Sequence, residues 1–131
     1  MDIPRPFKEA MVLHALEEDP NECCGLLAGK DGTLVGHHRM TNAEKSPYRY
    51  SMDGKELLAT LREIEDSGGE IAVIYHSHTH SPAYPSATDI RLATWPDAYY
   101  LVVSLVNKED PELRVFRIVD GKVTEEPLTI T

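Results

Sequence analysis

Residues 70–75 read EIAVIY, and the next five residues read HSHTH. This junction constrains the chain more than any other feature. A run rich in β-branched and aliphatic residues, too short for a core helix, reads as a strand buried on both faces. Such a strand needs neighbours beside it and cover above and below. Three histidines at alternate positions then follow, at the end of a segment that is otherwise dry. On an extended chain residues i and i+2 project to the same face, so His76 and His78 point the same way.

The rest of the chain supplies the cover. Residues 6–18 place apolar side chains at Phe7, Met11, Leu13, Ala15 and Leu16 at roughly helical spacing, and Asp19-Pro20-Asn21 ends the helix. CCGLLAGK reads as a buried strand, Asp31-Gly32 as a hairpin turn and TLVGHHRM as the return strand. Residues 41–50 form an irregular connection. Asp53 caps a second helix, with Glu56 as its capping-box partner and Leu57, Leu58, Leu61 and Ile64 as the buried stripe, and Ser67-Gly68-Gly69 stops it. After the loop 81–85, Ser86 caps a short helix running to Trp95. Tyr99–Val106 and Leu113–Val119 read as a hairpin, and Asp120-Gly121 turns into a last short strand. This order of elements gives an α+β fold, a mixed sheet flanked by helices, in a single domain spanning 1–131.

Charge and composition exclude several classes. The formal net charge is −9, which opposes binding to nucleic acid. No apolar run approaches the roughly 20 residues of a membrane span, and the N-terminus lacks the apolar core of a secretory signal, so a cytoplasmic protein is expected. The two cysteines, Cys23 and Cys24, are adjacent, so no internal disulfide framework is available. They are expected as small buried hydrophobes, with Cys24 also able to line the site from the same extended face as Glu22.

The chemistry lies in HSHTHSPAYPSATD, residues 76–89. His76 and His78 on one face can share a metal ion, and Asp89 returns as a third ligand. Two histidines and one carboxylate, with a fourth position left for water, is a catalytic zinc arrangement rather than a structural one. Hydrolysis then requires a general base, for which Glu22 is the candidate, and Ser86 can donate to a developing oxyanion. Each residue also has a bland reading. Ser86 can be only a helix cap, Asp89 only a favourable charge in a first helical turn, and Thr41-Asn42 only a turn instead of a grip on substrate backbone. His80 is expected to be solvated and His37 and His38 to lie on the surface; Tyr84 is expected at the rim of the site.

Glu22, then His76-x-His78, seven residues, Ser86, two residues and Asp89 together resemble the JAMM (MPN+) metallopeptidases. The likeness runs through ECCGLLAG, MTNAEKSPYRY, IYHSHT, AYPSATDIRLATWPDAYYLVVS and FRIVDGKVTEEP, and is strongest to the bacterial Mec+ type. It implies a fold similar to cytidine deaminases, zinc on His76, His78 and Asp89, Glu22 as general acid/base, and Ser86 as stabiliser of the tetrahedral intermediate. It also implies a substrate: the C-terminal tail of a small ubiquitin-like or sulfur-carrier protein, from which cysteine is released. The tail is expected to lie extended beside strand 22–29, adding to a sheet edge. Release of such a protein from lysine side chains is the alternative, and a non-catalytic MPN scaffold is a third reading. A zinc deaminase would need H-x-E and PCxxC, and an HExxH protease would need glutamate at Ser77; neither pattern is present.

Overall fold

The computed structural model describes all residues, 1–131. Helix α1 spans Arg5–Glu18, with Pro6 in the first turn where its missing N–H costs nothing. It is preceded by the two-residue strand β1, Asp2–Ile3. Strands β2 (Cys24–Lys30) and β3 (Thr33–Met40) form the expected hairpin, with Asp31 and Gly32 at φ 53° and 78° in its turn. Helix α2 is Gly54–Asp66, strand β4 Glu70–His78 and helix α3 Ala87–Leu92. Strands β5 (Tyr99–Ser104), β6 (Glu112–Val119), β7 (Lys122–Glu126) and β8 (Thr129–Ile130) complete the chain.

Six strands form one mixed sheet in the order β3-β2-β4-β5-β6-β7, in which only β4 and β5 run parallel. Strand β4 is central and buried from Val73 to His78, as EIAVIY requires. Its alternate side chains enter two cores. Ile74 packs with Leu26, Tyr100, Val102 and Phe116 under Ile64 of α2. Val73 and Tyr75 pack with Leu27, Leu101 and Val115 under Met11 and Ala15 of α1. One face of the sheet therefore carries α1 and the other α2, with Ile90 of α3 packed on that second core.

Several expectations are corrected. Strand β4 continues through His78, so both histidines belong to the sheet, opposite β2 and β5. Helix α3 stops at Leu92 rather than Trp95, since Pro96 disfavours helical backbone in the residue before it. Strand β5 ends at Ser104, two residues early, where Leu105 N–H turns to the His78 carbonyl. In α1 it is His14, not Leu13 or Leu16, that joins Met11 and Ala15 in burial. Leu13 and Leu16 stay 52% and 39% exposed. The half-expected capping box at Asp53 is only half formed: Asp53 accepts from Glu56 N–H, but the Glu56 carboxylate takes two bonds from Thr41, at 2.6 and 2.8 Å. Thr41 is thereby engaged within the fold. Strand β2 has β3 on one edge and β4 on the other, so no tail can add to it as an extra strand. Strands β1 and β8 pair in parallel as a separate two-stranded sheet, which no periodicity in two residues announces.

Candidate active site

Strand β4 brings His76 and His78 to its C-terminal end, both almost fully buried. His76 Nε2 and His78 Nε2 are 3.1 Å apart. Each is 3.0 Å from Asp89 Oδ2. Asp89 reaches them because Ser86 turns the chain into α3: Ser86 Oγ accepts from Asp89 N–H at 3.0 Å, and Asp89 Oδ2 accepts from Ser86 N–H at 2.8 Å. The capping box and the acidic ligand position are one construction. Ser86 keeps its hydroxyl proton free, because its oxygen is used only as an acceptor.

The protonation chemistry favours a cation at the centre of this triangle. His78 Nδ1 lies 2.9 Å from the Pro82 carbonyl, which can only accept, so Nδ1 carries the proton. In the neutral ring Nε2 then presents a lone pair to the Asp89 carboxylate, an arrangement that is repulsive without a positive charge between them. Burial works against a charged His78, but the bond to Asp89 and the Pro82 carbonyl raise its pKa above the ordinary value. Burial likewise opposes ionised Asp89, yet the bonds from His76 and His78 hold its carboxyl well below the usual range. Both directions describe a site that takes up positive charge. In tetrahedral zinc sites with bonds of about 2.0–2.1 Å, ligand atoms stand roughly 3.3 Å apart, close to the triangle formed here. The donor set and its fixed tautomer fit such an ion.

Glu22 sits one residue before the β2 backbone becomes regular. Cys23 and Ser77 lock the two strands at this level through Cys23 N–H to Ser77 Oγ, 2.8 Å, and Ser77 N–H to the Cys23 carbonyl, 3.1 Å. Glu22 is 4% exposed, and its Oε1 has no hydrogen-bond partner. Burial pushes its carboxyl up to about 8; His78 opposes that shift and Asp89 adds to it. A buried carboxylate oxygen left unpaired is costly in a fold, so such a group calls for a functional explanation.

Three supporting residues were not anticipated in these roles. Tyr50 stacks on His76 with centroids 4.5 Å apart. Pro82 sets the His78 tautomer through its carbonyl. Asn42, buried, uses both ends of its amide within the fold: Nδ2 donates to the Glu22 and Arg49 carbonyls, and Oδ1 accepts from Glu44 and Ser51 N–H. The turn reading of Asn42 is therefore the one realised. Cys23 and Cys24 are buried in opposite cores, their thiols pushed up to about 12 by burial, as inert hydrophobes require. His80 is exposed, with Nδ1 on the Thr79 hydroxyl. His37 departs from expectation: its Nε2 is 2.7 Å from Tyr75 Oη, which also meets His14 Nδ1 at 2.6 Å. Tyr84 is 46% exposed and rests edge-on against Phe116.

Comparisons with known proteins agree with this geometry. The family model Prok-JAB, prokaryotic homologs of the JAB domain, matches residues 4–119. The chain belongs to the JAMM/MPN family and is a peptidase of that type, a hydrolase of peptide or isopeptide bonds. It is 51% identical over 123 residues to the CysO-cysteine peptidase of Mycobacterium tuberculosis, covering 92% of this chain and 84% of that one. It is 36% identical over 104 residues to the desampylase of Haloferax volcanii, covering 74% and 75%. A solution structure from Desulfitobacterium hafniense superposes with a TM-score of 0.88 at 34% identity, covering 100% of this chain and 93% of that one.

Proposed function

We propose that this chain is a zinc peptidase that hydrolyses the C-terminal amide of a small ubiquitin-like sulfur carrier and releases cysteine. The observation that carries the reading is the convergence of His76, His78 and Asp89 on one point, near an unpaired buried Glu22 carboxylate. The 51% identity to a CysO-cysteine peptidase supports the choice of substrate. In this reading His76 Nε2, His78 Nε2 and Asp89 Oδ2 hold zinc. The ion supplies Lewis acidity, which brings the pKa of a water down to about 7.

The residues of the chain do the rest. Glu22 takes the proton from the attacking water and delivers it to the amide nitrogen as the C–N bond breaks. Its environment suits both halves of that task, since a buried carboxyl with a raised pKa returns a proton more readily than an ordinary one. Ser86 donates its free hydroxyl proton to the carbonyl oxygen as negative charge develops there. Pro82 keeps His78 in the ligating tautomer, and Tyr50 fixes the plane of His76. With a net charge of −9 and no helix long and apolar enough to cross a membrane, the chain is read as a cytoplasmic enzyme acting on a protein tail, not on nucleic acid.

The test is single-turnover hydrolysis of a CysO-type carrier ending in cysteine, comparing wild type with Glu22→Gln. Wild type is expected to release free cysteine. Glu22→Gln should retain stoichiometric zinc and lose about 10²–10⁴-fold in rate. If zinc-loaded wild type leaves the carrier intact but cleaves lysine-linked conjugates, the enzyme is instead an isopeptidase, the activity class nearer to the desampylase likeness.

A further inference from the structure

A general acid delivers its proton to the leaving nitrogen, so the residue beyond the scissile bond lies on the same side as Glu22. Two hollows flank the site, and they differ in chemistry. The one bordering Asp89, about 280 Å³, is mainly apolar and is walled by Tyr50, Met52, Leu92 and Trp95. The one bordering Glu22, about 340 Å³, is mainly polar, and its walls include the cations Arg39 and Lys45. A volume of that size holds one amino-acid residue.

The two cations are not equivalent. Arg39 is engaged with Glu17, 2.5 Å from Nη1 to Oε2. Lys45 has no acidic partner, although the chain carries 22 acidic residues. Its backbone is also unusual, with φ at 46°, the left-handed region that glycine and asparagine occupy more easily. The loop holds it there: Lys45 N–H bonds the Asn42 carbonyl at 3.2 Å, and the Asn42 side chain ties the same loop to the Glu22 carbonyl. A lysine kept in a strained conformation, unpaired, at the mouth of a polar hollow beside the general acid suggests a ligand of opposite charge.

We infer that Lys45 pairs with the free α-carboxylate of the leaving residue, making the enzyme selective for removal of a single C-terminal amino acid. This inference rests on the proposed function and deepens it. An amino acid leaving through its α-nitrogen carries a carboxylate one carbon from that nitrogen. A lysine side chain leaving through Nζ carries only methylenes there, so Lys45 discriminates between the two substrate classes by charge.

The experiment compares two carriers that differ in one group: a CysO-type protein ending in cysteine, and the same protein ending in cysteine amide. Wild type is expected to favour the acid by about tenfold or more in kcat/KM, the scale of one charge-assisted hydrogen bond. Lys45→Ala should bring the acid-to-amide ratio near one, and Lys45→Glu should take it below one. Arg39→Ala should leave the ratio high. Calorimetric binding of both carriers to Glu22→Gln, with and without Lys45→Ala, should show the same preference appear and disappear. Because the readout is a ratio, a variant that merely loses folded protein lowers both rates and leaves the ratio unchanged, which counts against Lys45. Equal cleavage of acid and amide by wild type overturns the role of Lys45 and leaves the hydrolase reading standing. Cleavage of neither, with lysine-linked conjugates cleaved instead, overturns both.

Discussion

Gly25 and Tyr75 face each other across β2 and β4, one residue before the first histidine ligand position. A Cβ built on Gly25 would lie 2.4 Å from Cε1, Cζ and Oη of the Tyr75 ring. The backbone there is not left-handed, so Gly25→Ala meets no conformational barrier of its own and tests the side-chain contact alone. The ring must move. Its hydroxyl then leaves both His14 Nδ1 and His37 Nε2, bonds of 2.6 and 2.7 Å. Each lost bond costs about 1 kcal/mol, and overpacking a dense core adds about 1–3 kcal/mol. The smaller entropy of an unfolded alanine returns about 0.4–1 kcal/mol, leaving a net loss of about 2–4 kcal/mol. Urea denaturation should show this as a lower midpoint at constant slope. Tyr75→Leu removes the ring atoms that clash, so adding Gly25→Ala to it should cost well under the single-mutant value. A loss below about 1 kcal/mol in the single variant, or strict additivity in the double, would refute the close approach.

The hydroxyl of Ser86 serves as both helix cap and proposed oxyanion donor, and glycine separates the two jobs. Ser86→Ala should cost about 1 kcal/mol of stability and Ser86→Gly only a few tenths, while both lose about 10²–10³-fold in kcat. An active Ser86→Gly would reduce Ser86 to a cap. His14 makes a pH prediction: its pKa is lowered from 6.5 to about 4, first by burial and then by the Arg39 charge. The unfolded chain therefore binds the proton that the folded chain refuses, so this contribution to stability is intact above pH 6.5 and lost as pH falls through about 4. Discounted for partial solvent screening, the loss is about 2 kcal/mol. His14→Gln should flatten the wild-type stability profile by that amount over this window; parallel profiles would sink the assignment.

What was legible in the sequence divides along physical lines. His76, His78, Ser86 and Asp89 lie within 14 residues, and the period of an extended strand plus one turn into a helix is enough to bring them together. The central strand was equally plain, since few other structures tolerate EIAVIY. Glu22 was reached by resemblance, because its place beside the histidines depends on β2–β4 register, which a single strand does not encode. The inward turn of His14 and the bond from His37 were invisible for the same reason. Both are set by Tyr75, which reaches them only because the residue across from it is glycine. Tyr50 and Pro82 act through a ring face and a backbone carbonyl, neither of which leaves a pattern.

Asp89 admitted two readings in the sequence, a favourable charge in the first helical turn or a metal ligand, and the fold removes the choice between them. Helix α3 has six residues and no fully buried side chain, so packing alone does little to hold it. Isolated helices of that length are marginal in water, and the reciprocal bonds between Ser86 and Asp89 supply what the core does not. The same Oδ2 that caps Ser86 N–H faces both histidines, so forming the helix and presenting the carboxylate are one event. Any cation held by His76, His78 and Asp89 therefore also stabilises the helix and the loop 81–85 before it, because binding energy at a site ordered by folding appears as folding energy. Conversely, the loop carries Pro82, whose carbonyl selects the ligating tautomer of His78. Strand, loop and helix thus meet at three atoms, and the chemistry of the site and the local stability of this end of the sheet depend on the same bonds.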